Sequence, residues 1–167
     1  EGQGGGIRLR AEGGVVGKPE PVGAPPGTVV RVCDLFFNVP ARRKFLKSDA
    51  TEFRRILEAV HHVALSHPEL ALTFVSDNET ILDLRGSTLE QRVIDVFGER
   101  QHDALLWTEQ HAEVVSVSGY IGKPTFGQKT RSNQLLFLNR RFIQNRTVNH
   151  AVLSAYEHLL AKGAFPF

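Results

Sequence analysis

The chain reads as an α+β protein, on three observations. Apolar residues recur at helical spacing in two long runs, 49–66 and 145–162. Short β-branched or alternating runs lie around them, at 7–10, 71–75, 80–84, 114–121 and 134–138. Glycine, proline and Asx clusters punctuate the boundaries. At 167 residues the chain has room for one large or two small domains with a buried core.

The elements follow in order. Residues 7–10 alternate apolar and basic as a half-exposed strand, Glu12-Gly13-Gly14 turns, and Val15-Val16 is the candidate return strand. The Pro- and Gly-rich stretch 18–26 reads as a loop. From Gly27-Thr28 a β-branched strand runs through Val29, Val30 and Val32, with the lone Cys33 expected as a small buried hydrophobe. An apolar Leu35-Phe36-Phe37 segment leads to Pro40, which opens a basic helix because its missing N–H would be unpaired in a first turn anyway. That helix continues through Arg42, Arg43 and Lys44 to Lys47, anchored by Phe45 and Leu46.

In the run 49–66, Asp49 is placed to cap, with Glu52 three residues on. Phe53, Ile56, Leu57, Val60, Val63 and Ala64 form its inward face, and His67-Pro68 stops it. Residues 71–75 and 80–84 pair as a hairpin, and a domain joint is expected at Arg85-Gly86, dividing the chain into 1–85 and 86–167. Ser87-Thr88-Leu89-Glu90 is a capping-box signature for a helix with Leu89, Val93 and Phe97 inward and Gly98 as its stop. A polar loop precedes the strand 114–121, and 122–133 is a basic, turn-rich loop. Residues 134–138 and 142–143 pair across Asn139-Arg140. The final helix, 145–162, turns Val148, Val152, Ala155, Tyr156 and Leu159 inward and stops at Gly163.

Charge is segregated rather than excessive. Lys and Arg number 20 against 18 Asp and Glu, a net charge of +2. Yet 114–156 contains no acid while holding Lys123, Lys129, Arg131, Arg140, Arg141 and Arg146. Residues 23–47 hold one acid, Asp34, against Arg31, Arg42, Arg43, Lys44 and Lys47. A folded chain with this distribution presents a positive face, the footprint of a polyanion binder. No apolar run approaches membrane-spanning length and no signal peptide is visible, so a cytoplasmic location is expected, nucleoid-associated in a bacterium. The chain has no methionine, opens within a pattern at Glu1-Gly2-Gln3, and closes on an apolar run, so both ends are expected to be interior points of a longer protein.

Two segments carry a specific resemblance. GTVVRVCDLFFNVPARRKFLKS, residues 27–48, resembles the GT…V.DLF.N.PARRKFL motif of the MutL family of DNA mismatch-repair proteins. GYIGKPTFGQKTRSNQLLFLNRRFIQNRTVNHAVLSAY, from Gly119 onward, is similar to that family's GYI.KP…R.NRN.Q.FFVNGR.V….L.HA…AY block. With the spacer between them they cover nearly the whole chain in the family's order. The resemblance implies the C-terminal part of a GHKL ATPase domain over 1–85. After it would come a ribosomal-protein-like second domain, with a left-handed βαβ crossover, over 86–167. The family's usual Asn-Gly hairpin turn is Asn139-Arg140 here. Either the turn geometry differs or the cation is worth the strain of a positive φ, about 1 kcal/mol or more.

The chemistry implied by the resemblance is uneven. ATP and magnesium are implied for the intact protein, but this chain lacks the E…N…DAG helix and the DxGxG turn. Gly2-Gln3-Gly4-Gly5-Gly6 is no phosphate loop, since no Lys-Ser/Thr follows. The family's γ-phosphate lysine would fall after Phe167. Gly27 and Thr28 alone match a nucleotide-site element, Thr28 beside the adenine; a plain β-branched strand residue is the other reading. The chain by itself is therefore expected to be inactive as an ATPase.

Arg146 matches a family arginine that lines a DNA groove, and Arg140, Arg141, Lys129 and Arg131 are its candidate companions for the DNA backbone. Arg42, Arg43 and Lys44 have a competing structural role. The resemblance also implies self-association as a homodimer or family heterodimer, and mismatch-recognition and strand-incision proteins as partners. A stand-alone, non-enzymatic nucleic-acid-binding module is the alternative. No histidine shows metal-ligand spacing, and the one-turn pairs His62/Ser66 and His150/Ser154 lack an acid.

Overall fold

In the computed structural model, residues 4–167 are described; Glu1-Gly2-Gln3, the start of the glycine-rich opening, lies outside them. β1 (Gly5–Arg8) pairs antiparallel with β4 (Glu20–Gly23), and between them β2 (Ala11–Glu12) pairs with β3 (Val15–Val16). The Val15-Val16 return is therefore formed. Gly13 and Gly14 turn it with φ of 59° and 90°. The stretch 18–26, expected as a loop, contains β4 instead. Pro21 is tolerated there because a two-stranded ladder leaves one edge of β4 unpaired, where its missing N–H is not needed.

The strand expected from Gly27 does not form. Residues 28–33 belong to no ladder, and Val29, Val30 and Val32 are 90%, 80% and 72% exposed. A strand exists through its neighbour, and the described residues supply none. Cys33 is exposed for the same reason, contrary to its expected burial. A tight turn follows, with Asp34 and Phe36 at positive φ and Phe37 N–H donating to the Asp34 carbonyl. It delivers α1 (Pro40–Lys44), with Pro40 in the first turn as predicted. α1 ends at Lys44, short of Lys47, and its expected anchors Phe45 and Leu46 are 77% and 44% exposed.

α2 (Asp49–Ser66) has the predicted bounds. Its cap lies one residue earlier than expected: the Ser48 carbonyl accepts from the N–H groups of Thr51 and Glu52, and the Glu52 carboxylate accepts from Lys47 N–H. The chain divides within this first turn into two compact units, Glu1–Glu52 and Phe53–Phe167.

The second unit contains the core: Leu65, Val93 and Leu105 are buried, with Leu89, Phe97, Tyr120, Phe137 and Phe167 packed against them. On α2, Ala64 and Leu65 are buried whereas Ile56 and Val63 are half exposed, so the inward stripe is rotated from the one expected. β5 (Leu72–Ser76) and β6 (Glu79–Leu84) form the predicted hairpin, turned by Asp77 and Asn78 at φ 49° and 65°. α3 (Leu89–Phe97) is capped by Thr88 rather than Ser87, the Thr88 hydroxyl accepting from Gln91 N–H at 3.2 Å. Gly98 stops it at φ 88°, and a single turn, α4 (Glu99–His102), follows.

The polar loop expected before residue 114 holds a strand, β7 (Leu105–His111), paired along its length with β8 (Ser116–Gly122). Leu105 is buried at its start, and the polar Thr108–His111 end had hidden the element from a hydropathy reading. β9 (Leu136–Leu138) and β10 (Arg141–Ile143) form the second predicted hairpin. α5 (Arg146–Ala155) starts where predicted but stops a full two turns before Lys162, and none of its residues is buried. Tyr156 ends it: its backbone leaves the helical region, and its hydroxyl donates to the Gly122 carbonyl. All ladders among the described residues are antiparallel pairs, so no parallel crossover is formed within them.

Hydrogen bonds bridge the Arg85-Gly86 step. Arg92, on α3, is fully buried, and its Nη2 donates to the carbonyls of Pro68, Leu70 and Arg85 at 2.7–2.8 Å. One side chain thus ties α3 to the chain on both sides of the β5–β6 hairpin. Gly86 sits where a Cβ would meet the Glu69 carbonyl oxygen at 2.5 Å, so no larger residue fits without a backbone shift.

Candidate nucleic-acid interface

The acid-free segment builds its cationic groups on three supports within the second unit. The loop after β8 is fixed at Gln128, whose backbone exchanges hydrogen bonds with Phe165 at 2.7 and 2.9 Å. Lys129 and Arg131 stand just beyond that bridge, and the Arg131 guanidinium lies 4.7 Å from the centre of the Phe165 ring. Such a contact fixes the side chain without consuming its charge.

The β9–β10 turn carries Arg140 and Arg141. Asn139 and Arg140 have φ of 49° and 66°, so the primed turn survives the loss of glycine. Its strained arginine reaches Glu69, Nη1 to Oε1 at 2.6 Å. Arg140 is therefore not the unneutralised cation that the acid-free run implied: its partner lies 71 residues away in the chain, beyond any sequence signal. The Glu69 carboxyl is held below its ordinary pKa, chiefly by its own backbone N–H and further by His67 and Arg140.

Arg146 is the first residue of α5. Asn145 caps that helix, its side-chain oxygen accepting from Val148 N–H at 3.0 Å. The cap sets the helix start and so places the arginine there. Arg146, Arg141 and Lys129 are exposed and make no ion pair among the described residues. A cation in a first turn opposes the helix dipole, so Arg146 stands there at a small local cost. No hydrogen bond or ring contact joins the loop cations to Arg146.

His61 and His62 do not add to the positive face. Burial pushes both imidazoles below their ordinary pKa, and His62 stacks on Phe142 of β10 at 3.7 Å. Elsewhere the β7–β8 register brings three polar groups together that sequence spacing did not connect. His111 bonds Ser116 Oγ at 2.9 Å and Glu109 at 2.8 Å. The string has the order of a hydrolytic triad, but His111 is 69% exposed and water competes at every member. Such a setting lacks the dry, preorganised surroundings that make a serine nucleophilic.

In the first unit, Gly27 has a φ of 130° and Thr28 lies exposed on the unladdered segment. Arg42, Arg43 and Lys44 occupy the last turn of α1, where cations suit the dipole, and are exposed without ion pairs among the described residues. Gly5 and Gly6 lie in β1 rather than before a helix, and no group of three His, Cys, Asp or Glu among the described residues could hold a metal. No helix among the described residues is long and apolar enough to cross a membrane.

This architecture is similar to that of solved domains of DNA-repair proteins. The chain is similar to the solved Aquifex aeolicus MutL ATPase domain complexed with ADP, at 34% identity and a TM-score of 0.68, over 90% of this chain and 57% of that one. It shares its fold with the N-terminal domain of a DNA repair protein, at 20% identity and a TM-score of 0.77, over 96% of this chain and 54% of that one. Residues 93–167 match the family described as DNA mismatch repair protein, C-terminal domain. The DNA mismatch repair protein MutL of Chlorobium phaeobacteroides is 42% identical over 97% of the chain. The chain belongs to the MutL family of DNA mismatch repair proteins. It spans 26% of the length of that relative.

Proposed function

We propose that the chain is the central portion of the N-terminal half of a MutL-type protein. The intact molecule would use ATP binding to dimerise and clamp DNA, and so couple mismatch recognition to strand incision. The joint between its ATPase and second domains lies at Arg85-Gly86 in this reading, supported by the family match over 93–167. Gly27 and Thr28 border the adenine; the similarity to an ADP-bound MutL ATPase domain supports nucleotide use by the intact protein. Self-association, mismatch-recognition proteins and strand-incision proteins belong to the same reading.

The observation that carries the DNA contact is the acid-free run whose Arg146, Arg141 and Lys129 stay exposed without carboxylate partners. These side chains hold phosphates and read no bases, which suits a protein that must act wherever a mismatch falls. Arg140 contributes less, since Glu69 already occupies it, and Arg131 keeps its charge over Phe165. The test is a salt titration of binding to two unrelated duplexes, full-length wild type against Arg146→Glu. Affinity should drop about equally on both, with the salt slope shallower by about one ion. Unchanged affinity and slope remove Arg146 from the interface, and a loss on one duplex alone means base readout instead.

A further inference from the structure

A depression on the second unit, lined by no cation of the DNA face, is built from rings. Leu89 and Glu90 of α3, His102 of α4, Leu105, Leu106 and Trp107 of β7 and Tyr120 of β8 line it, about 510 Å³ and open to solvent. Tyr120 stands between two rings: Trp107 meets it edge-on at 5.2 Å and 70°, and His102 at 5.7 Å and 61°. Glu90 stands at the rim, 64% exposed, its Oε1 3.5 Å from His102 Nε2. The Tyr120 phenol is pushed above its ordinary pKa, first by burial and then by the Glu90 charge, which places that carboxylate in the electrostatic range of the ring.

Aromatic faces carry the negative end of a quadrupole, and tilted rings with a carboxylate at the edge favour a cation. No lysine or arginine lines the depression to answer that charge. Trp107 is half exposed, which leaves ring surface open to a ligand at a cost in unburied apolar area. The opening to solvent leaves room for a side chain to enter. A guanidinium fits both features at once, stacking flat on a ring while forking onto a carboxylate.

We propose that Trp107, Tyr120, His102 and Glu90 form a docking site for an arginine side chain presented by a partner protein. The site is independent of the DNA reading, and its occupant is a cation where the DNA face takes an anion.

Trp107 is the single tryptophan of the chain, so its emission and its indole N–H resonance report on this site alone. The 167-residue chain is titrated with acetyl-Gly-Arg-Gly-amide and with the same peptide bearing citrulline, which keeps the shape and removes the charge. The arginine peptide should move both signals saturably and the citrulline peptide should not. Glu90→Gln, which keeps the shape of an exposed side chain and removes its charge, should weaken the arginine peptide at least about threefold. Equal responses to the two peptides would mean simple apolar contact and overturn the proposal. So would an unchanged affinity in Glu90→Gln, or a response to the arginine peptide that never saturates.

Discussion

The two compact units use the same kinds of residue with opposite results. In Glu1–Glu52 no described residue is buried, although valines and phenylalanines are frequent. In Phe53–Phe167, Leu65, Val93 and Leu105 close a core, and α2, α3 and the β5–β6 and β9–β10 hairpins form at their expected places. The contrast separates local from cooperative structure. A glycine turn or a Pro40-led helix needs only its own few residues, and the first unit has both. A β-branched strand needs a partner, and Val29, Val30 and Val32 have none among the described residues. Hydrophobicity there is potential for packing, realised only when another surface arrives.

If that contrast is right, substitutions in the second unit should be costly in proportion to burial, and those in the first nearly silent. Arg92→Met should have the largest effect, lowering stability by about 3–4 kcal/mol, because three partly buried carbonyls lose their shared donor. Urea unfolding followed by Trp107 emission reads it directly, and a loss below about 1 kcal/mol would show that Arg92 does not hold the unit together. Two of its nitrogens, Nε and Nη1, are buried without partners, a cost that the three Nη2 hydrogen bonds must outweigh.

Next in size, Leu105→Ala should cost about 2–3 kcal/mol by leaving a cavity against Val93 and Leu65. The matched change in the first unit, Val29→Thr, should stay within about 0.5 kcal/mol by the same measurement. Comparable losses from the two would erase the distinction between the units.

The smallest effect sharpens the comparison within the second unit. Arg140→Gly removes a side chain held at φ 66° and should raise stability by up to about 1 kcal/mol through relief of the backbone. The exposed contact to Glu69 offsets little of that. A clear loss of stability in a thermal melt would instead give the Arg140–Glu69 pair a structural weight that its exposure argues against.

Much of the interface was legible in the sequence. A helix beginning at about Asn145, with Arg146 in its first turn, was legible from residue types at fixed spacing. The run 114–156 without an acid is a fact of composition. What sequence proximity misjudged was Arg140, because the acid that answers it is contributed by the turn after α2. The Trp107–Tyr120–Glu90 depression was illegible for a related reason: the polar end of β7 carries no strand pattern, and its rings meet only once β7 pairs with β8 and α3 packs beside them.

By itself the sequence determined the α+β class, the helix α2 to the residue, both Asx-led hairpin turns, the glycine stop of α3 and the family. Each of these is decided by interactions within a few residues, or by a motif too long for coincidence. The tertiary structure decided the rest: which face of α2 is buried, where α5 ends, that Cys33 is exposed, and that Arg92 binds three distant carbonyls. Those outcomes depend on which surfaces meet, and local propensities are too weak to choose among the possible meetings.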